Sequence, residues 1–370
     1  MKIAQIAPII ERVPPKTYGG TERVVSALTE ELVRRGHDVT LFASGDSITA
    51  AKLVPIYPTH LRQAKLDAFQ TNSIRLMGVG VPYQHQDEFD IIHDHNMPFS
   101  APTANLARVP VLATLHGPID PGNQELYENF ANPYLVSISE AQIPKNSTMN
   151  HITTIYHGFN MESYPFSEKN EGYLLYVGRI APKKGLHHAI YVAKKLNRKL
   201  IIAAKLDEIH RNYFEDVIKP ELSDKIQWIG EATEFERNQL MSRALAFLHP
   251  ACWDEPFGLT MIEALACGTP VIAFNRGSIP ELIRNGQTGY IVDTPDEMAE
   301  AILQIERIDR KACRRYALKN FNVEKMTDEY EMVYKAILQG KYKTIRKPTS
   351  TEIFQKPRVY TNVRNNNSVS

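Results

Sequence analysis

Two carboxylates that stand eight positions apart are the strongest candidates for chemistry in this sequence. Glu255 precedes the run Pro256-Phe257-Gly258, and Glu263 stands within the apolar stretch that follows. At about 100° per residue, the apolar side chains cover most of the circumference of a helix beginning at Gly258, which predicts a buried helix. A buried carboxylate needs a partner, so Glu263 must form a structural ion pair or contact a ligand hydroxyl. Glu255 is either a helix-start carboxylate or a site residue beside free backbone N–H groups.

Cationic and imidazole side chains follow two other predicted strands. Arg179 and Lys184 come after a strand at 173–177, at a strand end and a helix start where a diphosphate could be held. A solvated charged loop is the alternative. His116 follows a strand at 111–115, and the carboxyl end of a parallel strand faces the ligand crevice of an open α/β sheet. A surface turn is the alternative for His116.

The elements that must position these residues alternate between strand and helix in two series. The first series opens with a strand at 2–7, a helix at 21–35 and a strand at 39–43, a βαβ unit. Further predicted elements of both series are strands at 89–93, 134–139, 152–156, 199–204, 225–229, 244–248 and 271–274, and a helix at 186–196. Residues 46–80 show no clear pattern, and the polar segment 161–171 is predicted to be a linker. The sequence therefore predicts two doubly wound domains.

The loop before the first helix argues against a nicotinamide enzyme. It contains Pro14-Pro15 and Gly19-Gly20 and lacks the Gly-x-Gly-x-x-Gly fingerprint of a dinucleotide site. Two glycines at a helix start let a ligand approach the backbone, although a plain turn would also use them. His93-Asp94-His95 ends another strand. We interpret it as part of a cleft wall rather than a metal site, because no further ligands accompany it.

Composition excludes several classes of protein. The net charge of the 370 residues is +1, which gives no broad electrostatic footprint for nucleic acid. Cys252, Cys267 and Cys313 form no pair with metal-site spacing and no disulfide framework. We find neither a signal peptide nor a spanning segment, so the expected location is the cytoplasm, with a peripheral contact on the inner face of the membrane left open.

Four stretches resemble the retaining glycosyltransferases of family four, which use nucleotide sugars. They are Glu255-Pro256-Phe257-Gly258 with Glu263, Gly178-Arg179 with Lys184-Gly185, Leu115-His116-Gly117, and Tyr18-Gly19-Gly20-Thr21-Glu22-Arg23-Val24-Val25. The resemblance covers residues 1–338 and implies the GT-B fold, two Rossmann-like doubly wound parallel-sheet domains that face a cleft. The register of that motif selects Lys184 rather than Lys183.

The resemblance also implies roles for individual residues. It implies that His116, Arg179, Lys184 and Glu255 are catalytic, with Arg179 and Lys184 on the donor diphosphate and Glu255 on the donor sugar. It implies a second, donor-binding group: Gly19, Gly20, Gly258, Leu259, Thr260, and Glu263 on the ribose. No metal and no cofactor are expected. The expected partners are a nucleotide-sugar donor, most often a UDP-sugar, and a carbohydrate, lipid-linked or small-molecule acceptor.

The expected domain organisation follows the same resemblance. We predict an acceptor-side domain at 1–165, a donor-binding domain at 172–322 and a helix at 323–338 that packs back on the first domain. A polar tail at 341–370 is predicted to be disordered. Another GT-B enzyme, such as a sugar-nucleotide epimerase, and a non-catalytic binding protein on the same fold remain alternatives. The presence of Glu255, Lys184, Arg179 and His116 argues against a decayed enzyme.

Overall fold

The computed structural model describes residues 1–342 and contains two parallel β-sheets. The strands of the first sheet are β1 (Lys2–Ile6), β2 (Asp38–Ser44), β3 (Lys52–Tyr57), β4 (Ile91–Asp94), β5 (Val111–Leu115), β6 (Tyr134–Ser137) and β7 (His151–Thr154). The helices of this domain are α1 (Gly20–Arg34), α2 (Ala68–Gln84), α3 (Ala101–Ala104) and α4 (Pro121–Asn129). The strand order is β3-β2-β1-β4-β5-β6-β7.

The second sheet repeats this architecture. Its strands are β8 (Leu174–Ile180), β9 (Leu200–Leu206), β10 (Ile226–Trp228), β11 (Ala246–His249), β12 (Val271–Phe274) and β13 (Gly289–Val292), in the order β10-β9-β8-β11-β12-β13. The helices that follow β8 along the chain are α5 (Leu186–Lys195), α6 (Arg211–Tyr213), α7 (Glu234–Arg243), α8 (Leu259–Ala266), α9 (Ile279–Leu282), α10 (Pro295–Leu303), α11 (Arg310–Asn320) and α12 (Val323–Leu338). The two doubly wound parallel-sheet domains predicted from the sequence are confirmed.

The strand order reverses once in each sheet, and these switch points position the site. In the first sheet the reversal lies between β1 and β4, and in the second it lies between β8 and β11. Loops that leave adjacent strands in opposite directions open a crevice at the carboxyl ends of those strands. Both crevices face the same cleft, because the loops after β1, β8 and β11 contribute to a single cavity.

Sequence analysis missed four elements of the first domain: β3, α2 and the short helices α3 and α4. β3 and α2 occupy much of the stretch 46–80 in which no pattern was found. Pro55 interrupts the apolar run of β3, and α2 carries Gly78, Gly80 and Pro82, which are poor helix formers. The cap of α2 was a usable signal, because the side chain of Asp67 accepts a hydrogen bond from the backbone N–H of Gln70.

The segment 161–171 connects the two sheets, but it is not a free linker. Met161 and Tyr164 are buried, and the Tyr164 hydroxyl accepts a hydrogen bond of 3.0 Å from Arg23 of α1. Arg314 of α11 donates to the carbonyl oxygen of Tyr164 at 2.9 Å. The predicted linker is therefore anchored to both domains.

The last described helix leaves the second domain and lies against α1. Arg35 donates to Asp328 at 2.6 Å, and the hydroxyl of Tyr330 lies 2.8 Å from that of Thr114 on β5. The predicted tail lies outside the described residues, apart from Lys341 and Tyr342. Within residues 1–342, none of the helices combines the length and the apolar character needed to cross a bilayer.

Candidate functional site

A cavity of about 510 Å³ lies between the two domains, at the carboxyl ends of both sheets. Most of the residues named from the sequence line it: Gly19, Gly20, His116, Arg179, Lys184, Glu255, Gly258, Leu259 and Thr260. Glu263 is not among the lining residues and is fully buried. The structure thus brings together side chains that are up to 241 positions apart, the distance between Gly19 and Thr260.

Glu255 and Lys184 form an ion pair in this cavity. The Lys184 Nζ lies 2.6 Å from Glu255 Oε2, and the indole of Trp253 donates to the same oxygen at 3.0 Å. His249 Nε2 lies 3.7 Å from that oxygen. Burial alone would raise the pKa of Glu255, but His249 and Lys184 outweigh it and lower this pKa to about 2. The carboxylate is therefore ionised at neutral pH.

The backbone around Lys184 explains why glycine follows it. Gly185 has φ +70°, and a Cβ at this position would collide with the carbonyl oxygen of Pro250. Cys252 donates its backbone N–H to the carbonyl oxygen of Lys183 at 2.8 Å. The loop after β8 is thus held against the loop after β11, which sets the distance between Lys184 and Glu255. Burial lowers the pKa of Lys184, and the attraction of Glu255 partly restores it.

Arg179 lies near the mouth of the cavity with incomplete partners. Its nearest carboxylate oxygen, on Asp207, is 3.8 Å away, and its Nε is buried without a hydrogen-bond partner in the described chain. Its guanidinium lies 5.5 Å from the centre of the Tyr18 ring, and Lys205 lies 5.4 Å from the same ring. Arg179 therefore retains donors that a ligand anion could use.

The N-terminus of α8 adds backbone donors to this set. Gly258 precedes the helix with φ +104°, a conformation that glycine adopts without strain. The first N–H groups of a helix have no intrahelical acceptor and carry a partial positive charge. Gly258, Leu259 and Thr260 line the cavity, so these donors lie at its surface.

Glu263 forms the structural ion pair that was one of its two interpretations. Its Oε1 pairs closely with Arg23 of α1 and lies 3.3 Å from the guanidinium of Arg237. Burial would raise the pKa of Glu263, but Arg23 and Arg237 outweigh it and lower this pKa. The cost of burying the carboxylate is therefore met by protein cations, without a ligand. Oε2 is left without a hydrogen-bond partner among the described residues.

The opposite wall of the cavity carries a chain of neutral histidines. His116 Nε2 lies 2.9 Å from His95 Nδ1, and His95 Nε2 lies 2.8 Å from Gln5 Oε1. The His157 ring stacks on His116 with 5.1 Å between the ring centres. Burial lowers the pKa of His116 to about 3 and also lowers the pKa values of His95 and His157. These imidazoles are consequently uncharged at neutral pH.

The hydrogen-bond chain selects one tautomer of each ring. The carbonyl oxygen of Gln5 can only accept, so His95 carries its proton on Nε2. Neutral His95 then accepts at Nδ1, which requires that His116 donate from Nε2. His116 is left with an unprotonated Nδ1, a hydrogen-bond acceptor.

The placement of His93-Asp94-His95 differs from the sequence interpretation. All three side chains are buried and none lines the cavity, so the prediction that they form a cleft wall is wrong. β4 lies at the centre of its sheet, and α12 covers it: His93 Nδ1 lies 2.6 Å from the Tyr334 hydroxyl. Asp94 accepts a 2.6 Å hydrogen bond from Tyr83 of α2. His95 contacts the site only through His116.

Sequence analysis missed three cavity-lining residues that follow or flank Gly19-Gly20: Tyr18, Glu22 and Arg23. Glu22 accepts a hydrogen bond from the Glu11 backbone N–H at 3.3 Å. Burial raises the pKa of Glu22 to about 7. A charged residue in the first turn of a helix usually faces solvent, so the sequence held no local signal that Glu22 and Arg23 are buried.

This arrangement suits a ligand that carries a dense negative charge beside a neutral polar group. Arg179, Lys184 and the N-terminus of α8 can stabilise an anion, while Glu255 and the unprotonated nitrogen of His116 can accept hydroxyl hydrogen bonds. A diphosphate joined to a sugar has both properties. Bond cleavage between them would develop negative charge where the donors converge.

Comparison with known families supports this description of the cleft. Residues 161–320 match the family described as Glycosyl transferases group 1, and residues 18–145 match Glycosyltransferase Family 4. The two matches fall on the second and the first sheet, respectively. They confirm the family resemblance predicted from the sequence.

Individual proteins show the same likeness over most of the chain. N-acetyl-alpha-D-glucosaminyl L-malate synthase of Bacillus anthracis is 23% identical over 368 residues, which cover 87% of this chain and 95% of that protein. Sucrose-phosphate synthase of Thermosynechococcus elongatus superposes with a TM-score of 0.77 at 20% identity, covering 92% of this chain and 100% of that chain. HepE of Anabaena, in complex with UDP-glucose, gives a TM-score of 0.72 at 18% identity, covering 91% and 100%.

The structural neighbours establish the GT-B fold, and the family matches establish the type of enzyme. The chain is therefore a group 1 glycosyltransferase, related to family four, that transfers sugars from nucleotide sugars.

Proposed function

We propose that this enzyme moves a hexose from a UDP-sugar to a hydroxyl group of a carbohydrate or small-molecule glycoside, with retention of configuration and without a metal. The observation that carries this proposal is the convergence of Arg179, Lys184 and the N-terminus of α8 on one cavity, opposite a neutral His116. The structure of HepE in complex with UDP-glucose supports UDP-sugars as the first donors to test.

The cationic groups act on the leaving diphosphate. When the bond between sugar C1 and the diphosphate oxygen breaks, its electron pair stays on that oxygen. Arg179 and Lys184 are oriented by Tyr18, Asp207 and Glu255 before the reaction, so they need little reorganisation to stabilise this charge. In this role they replace the divalent cation that other transferases use.

The remaining groups orient the sugar and the nucleoside. The ionised Glu255 binds Lys184 through Oε2, which leaves Oε1 to accept hydrogen bonds from sugar hydroxyls. His116 accepts another through Nδ1. Glu263 lies behind the cavity lining, so its role on the ribose requires a donor-bound conformation in which Oε2, which has no hydrogen-bond partner among the described residues, becomes open to the cavity. The acceptor hydroxyl attacks C1 and passes its proton to the departing diphosphate oxygen, so no protein base is needed in the front-side route.

The first experiment measures release of nucleoside diphosphate from UDP-, GDP- and ADP-sugars in the presence of EDTA. We expect release from one donor. Glu255→Gln and Lys184→Ala should each lower it by about 10²–10³, the usual effect of removing one preorganised group. Lys183→Ala is the matched control, since its ammonium lies 4.4 Å from the centre of the Trp253 ring and outside the cavity lining. It should change the rate less than about threefold.

The outcomes separate the proposal from its alternatives. Release that requires added Mg²⁺ or Mn²⁺ would contradict metal independence, and conversion of the donor sugar without an acceptor would indicate an epimerase. No binding and no release from any donor would contradict the transferase proposal. Retention is tested separately, by NMR of the anomeric configuration in the product.

A further inference from the structure

Three metal-ligand side chains cluster beside the cleft but do not line it. One ligand atom from each of His187, His188 and Cys252 can be chosen so that all three lie within 4.8 Å of one another. The two histidines belong to the first turn of α5, and the cysteine lies in the loop after β11. We propose that these side chains form a binding site for a thiophilic dication such as Zn²⁺ or Co²⁺.

The local geometry is close to a three-ligand site. Tetrahedral zinc ligands of these types stand about 3.3–3.6 Å apart, so the cluster must close by roughly 1 Å. The hydroxyl of Tyr213 lies 2.8 Å from His187 Nδ1, which orients that ring and leaves Nε2 available. The ring of His188 makes no hydrogen bond within the described chain and packs on the rings of His187 and Phe274. The thiol is exposed, so an ion can reach it.

The donor set determines which ion would bind. A thiolate with two imidazoles favours zinc-like ions over Mg²⁺ and Ca²⁺, which prefer oxygen ligands. Three protein ligands leave a fourth position for water. Burial raises the pKa of the Cys252 thiol, and the positive charge of Arg276 offsets only part of that rise, so the ion itself must displace the thiol proton. The same positive charge opposes a dication, so we expect weaker binding than at a four-ligand structural site.

A metal ion bound at this cluster would connect two loops that carry site residues. His187 and His188 follow the loop that carries Lys184, and Cys252 precedes Trp253, which donates to Glu255. An ion bound by all three would cross-link the loop after β8 to the loop after β11, in addition to the backbone hydrogen bond from Cys252 to Lys183. Metal occupancy would therefore restrain the Lys184–Glu255 pair from outside the cavity.

Cobalt titration tests this proposal without any substrate. The reduced full-length chain, free of a polyhistidine tag, is treated with EDTA, desalted and titrated with Co²⁺. We expect a near-ultraviolet thiolate-to-cobalt charge-transfer band that saturates at one equivalent and is displaced by Zn²⁺. Zn²⁺ should also raise the Tm, because a ligand that binds the native state stabilises it.

Variants assign the ligands. Cys252→Ser should abolish the charge-transfer band, and His188→Gln should weaken Co²⁺ binding by at least about tenfold, the lower range for altered metal sites. His85→Gln, an exposed histidine of the first domain, is the matched control and should bind as wild type does. A wild-type chain without the band, or a band that survives Cys252→Ser, would overturn the proposal. Neither result depends on the nature of the sugar donor, so the two proposals fail separately.

Discussion

The two walls of the cleft achieve a polar surface by opposite means. The wall from the second domain is charged: Arg179, Lys184 and Lys205 stand beside Glu255 and Asp207. Facing it, the first domain presents His116 and His157, whose pKa values burial lowers. The second-domain wall carries full charges held by counter-charges. Around His116 the first domain presents dipoles held by hydrogen bonds, and its charged lining residues, Glu11 and Arg62, form an ion pair with each other.

This difference matches the two halves of a nucleotide sugar. A diphosphate that gains charge as it leaves is stabilised by fixed cations, whereas a sugar hydroxyl needs only an oriented acceptor. A protonated His116 would lose the acceptor at Nδ1. The low pKa of His116 therefore preserves the acceptor that the proposed function requires of it.

Arg23 belongs to α1 of the first domain and carries charge into the second. It pairs with the buried Glu263 and lies 3.3 Å from Glu234 of α7. The pair joins the two domains at the cleft. The comparison between the walls can be tested by breaking this link and by altering each wall in turn.

Arg23→Met should have the largest effect. It leaves the buried Glu263 carboxylate with Arg237 at 3.3 Å as its remaining cation and the Tyr164 hydroxyl at 3.4 Å, and breaking a buried pair costs about 3–5 kcal/mol. Thermal unfolding should show a lower Tm for Arg23→Met. The double variant with Glu263→Gln should recover part of the loss, because the uncompensated charge is gone. If the losses in free energy of unfolding of the two single variants simply add up in the double variant, a direct interaction between Arg23 and Glu263 is contradicted.

Arg179→Met should have the next largest effect, on turnover rather than stability. Removal of one preorganised donor lowers kcat/KM by about 10²–10³. Lys205→Met is the matched comparison, since Lys205 shares Asp207 and Tyr18 but lies closer to Asp207, at 3.2 Å. We expect a loss of about tenfold or less for Lys205, because Asp207 already satisfies much of its charge. Equal losses of kcat/KM in Arg179→Met and Lys205→Met would mean that the charged wall acts through its total charge alone.

Local sequence patterns were sufficient for the elements that carry the charged wall. The helix from Gly258 is predicted by an apolar run between two glycines, and α8 occupies residues 259–266. The alternation of strands and helices likewise predicted both sheets. β3 and α2 were missed because Pro55 and Gly80 weaken the patterns that prediction uses.

Contacts between distant segments could not be predicted in the same way. Arg23 and Glu263 are 240 positions apart, and the residues around either one give no indication that the other is its partner. The tautomer chain from Gln5 through His95 to His116 requires three strands in register, β1, β4 and β5. The cluster of His187, His188 and Cys252 could not be predicted from the sequence either. Metal-site spacing patterns detect only ligands that are close along the chain.

Glu22→Gln should have a moderate effect that depends on pH. The pKa of Glu22 is about 7 in the folded chain and about 4.5 ordinarily, so between these values the native state holds a proton that the unfolded state has lost. The penalty for ionising Glu22 therefore grows from pH 4.5 to 7 and is complete above 7, at about 3 kcal/mol. Glu22→Gln should stabilise the protein at pH 8 by about 2–3 kcal/mol more than at pH 5.

The control for this prediction is Glu300→Gln, an exposed carboxyl on α10. Its effect on Tm should be similar at both pH values. A pH-independent effect of Glu22→Gln would mean that Glu22 is already ionised at pH 5. The wall of the first domain would then be less neutral than the structure indicates.

His95→Leu should have the smallest effect of this series, because His95 acts on the site only through His116. Without the acceptor at His95 Nδ1, the His116 ring is free to rotate or change tautomer. Loss of such an orienting partner lowers activity by about 10–100-fold. His95→Asn places a carbonyl oxygen near the former Nδ1, so it should retain the hydrogen bond from His116 and most of kcat.

The ratio of kcat between His95→Asn and His95→Leu shows whether His95 acts by orienting His116 or only by filling space in the core. Both remove the buried imidazole, so both should lower the Tm, and the variant with asparagine, a buried polar group with incomplete partners, should be no more stable than the leucine variant. If turnover follows stability, asparagine is the worse variant and His95 is only a packing residue. If turnover is higher for asparagine despite equal or lower stability, the hydrogen bond to His116 is what matters. The neutral wall would then depend on the fixed tautomer of His116, as the charged wall depends on the Lys184–Glu255 pair.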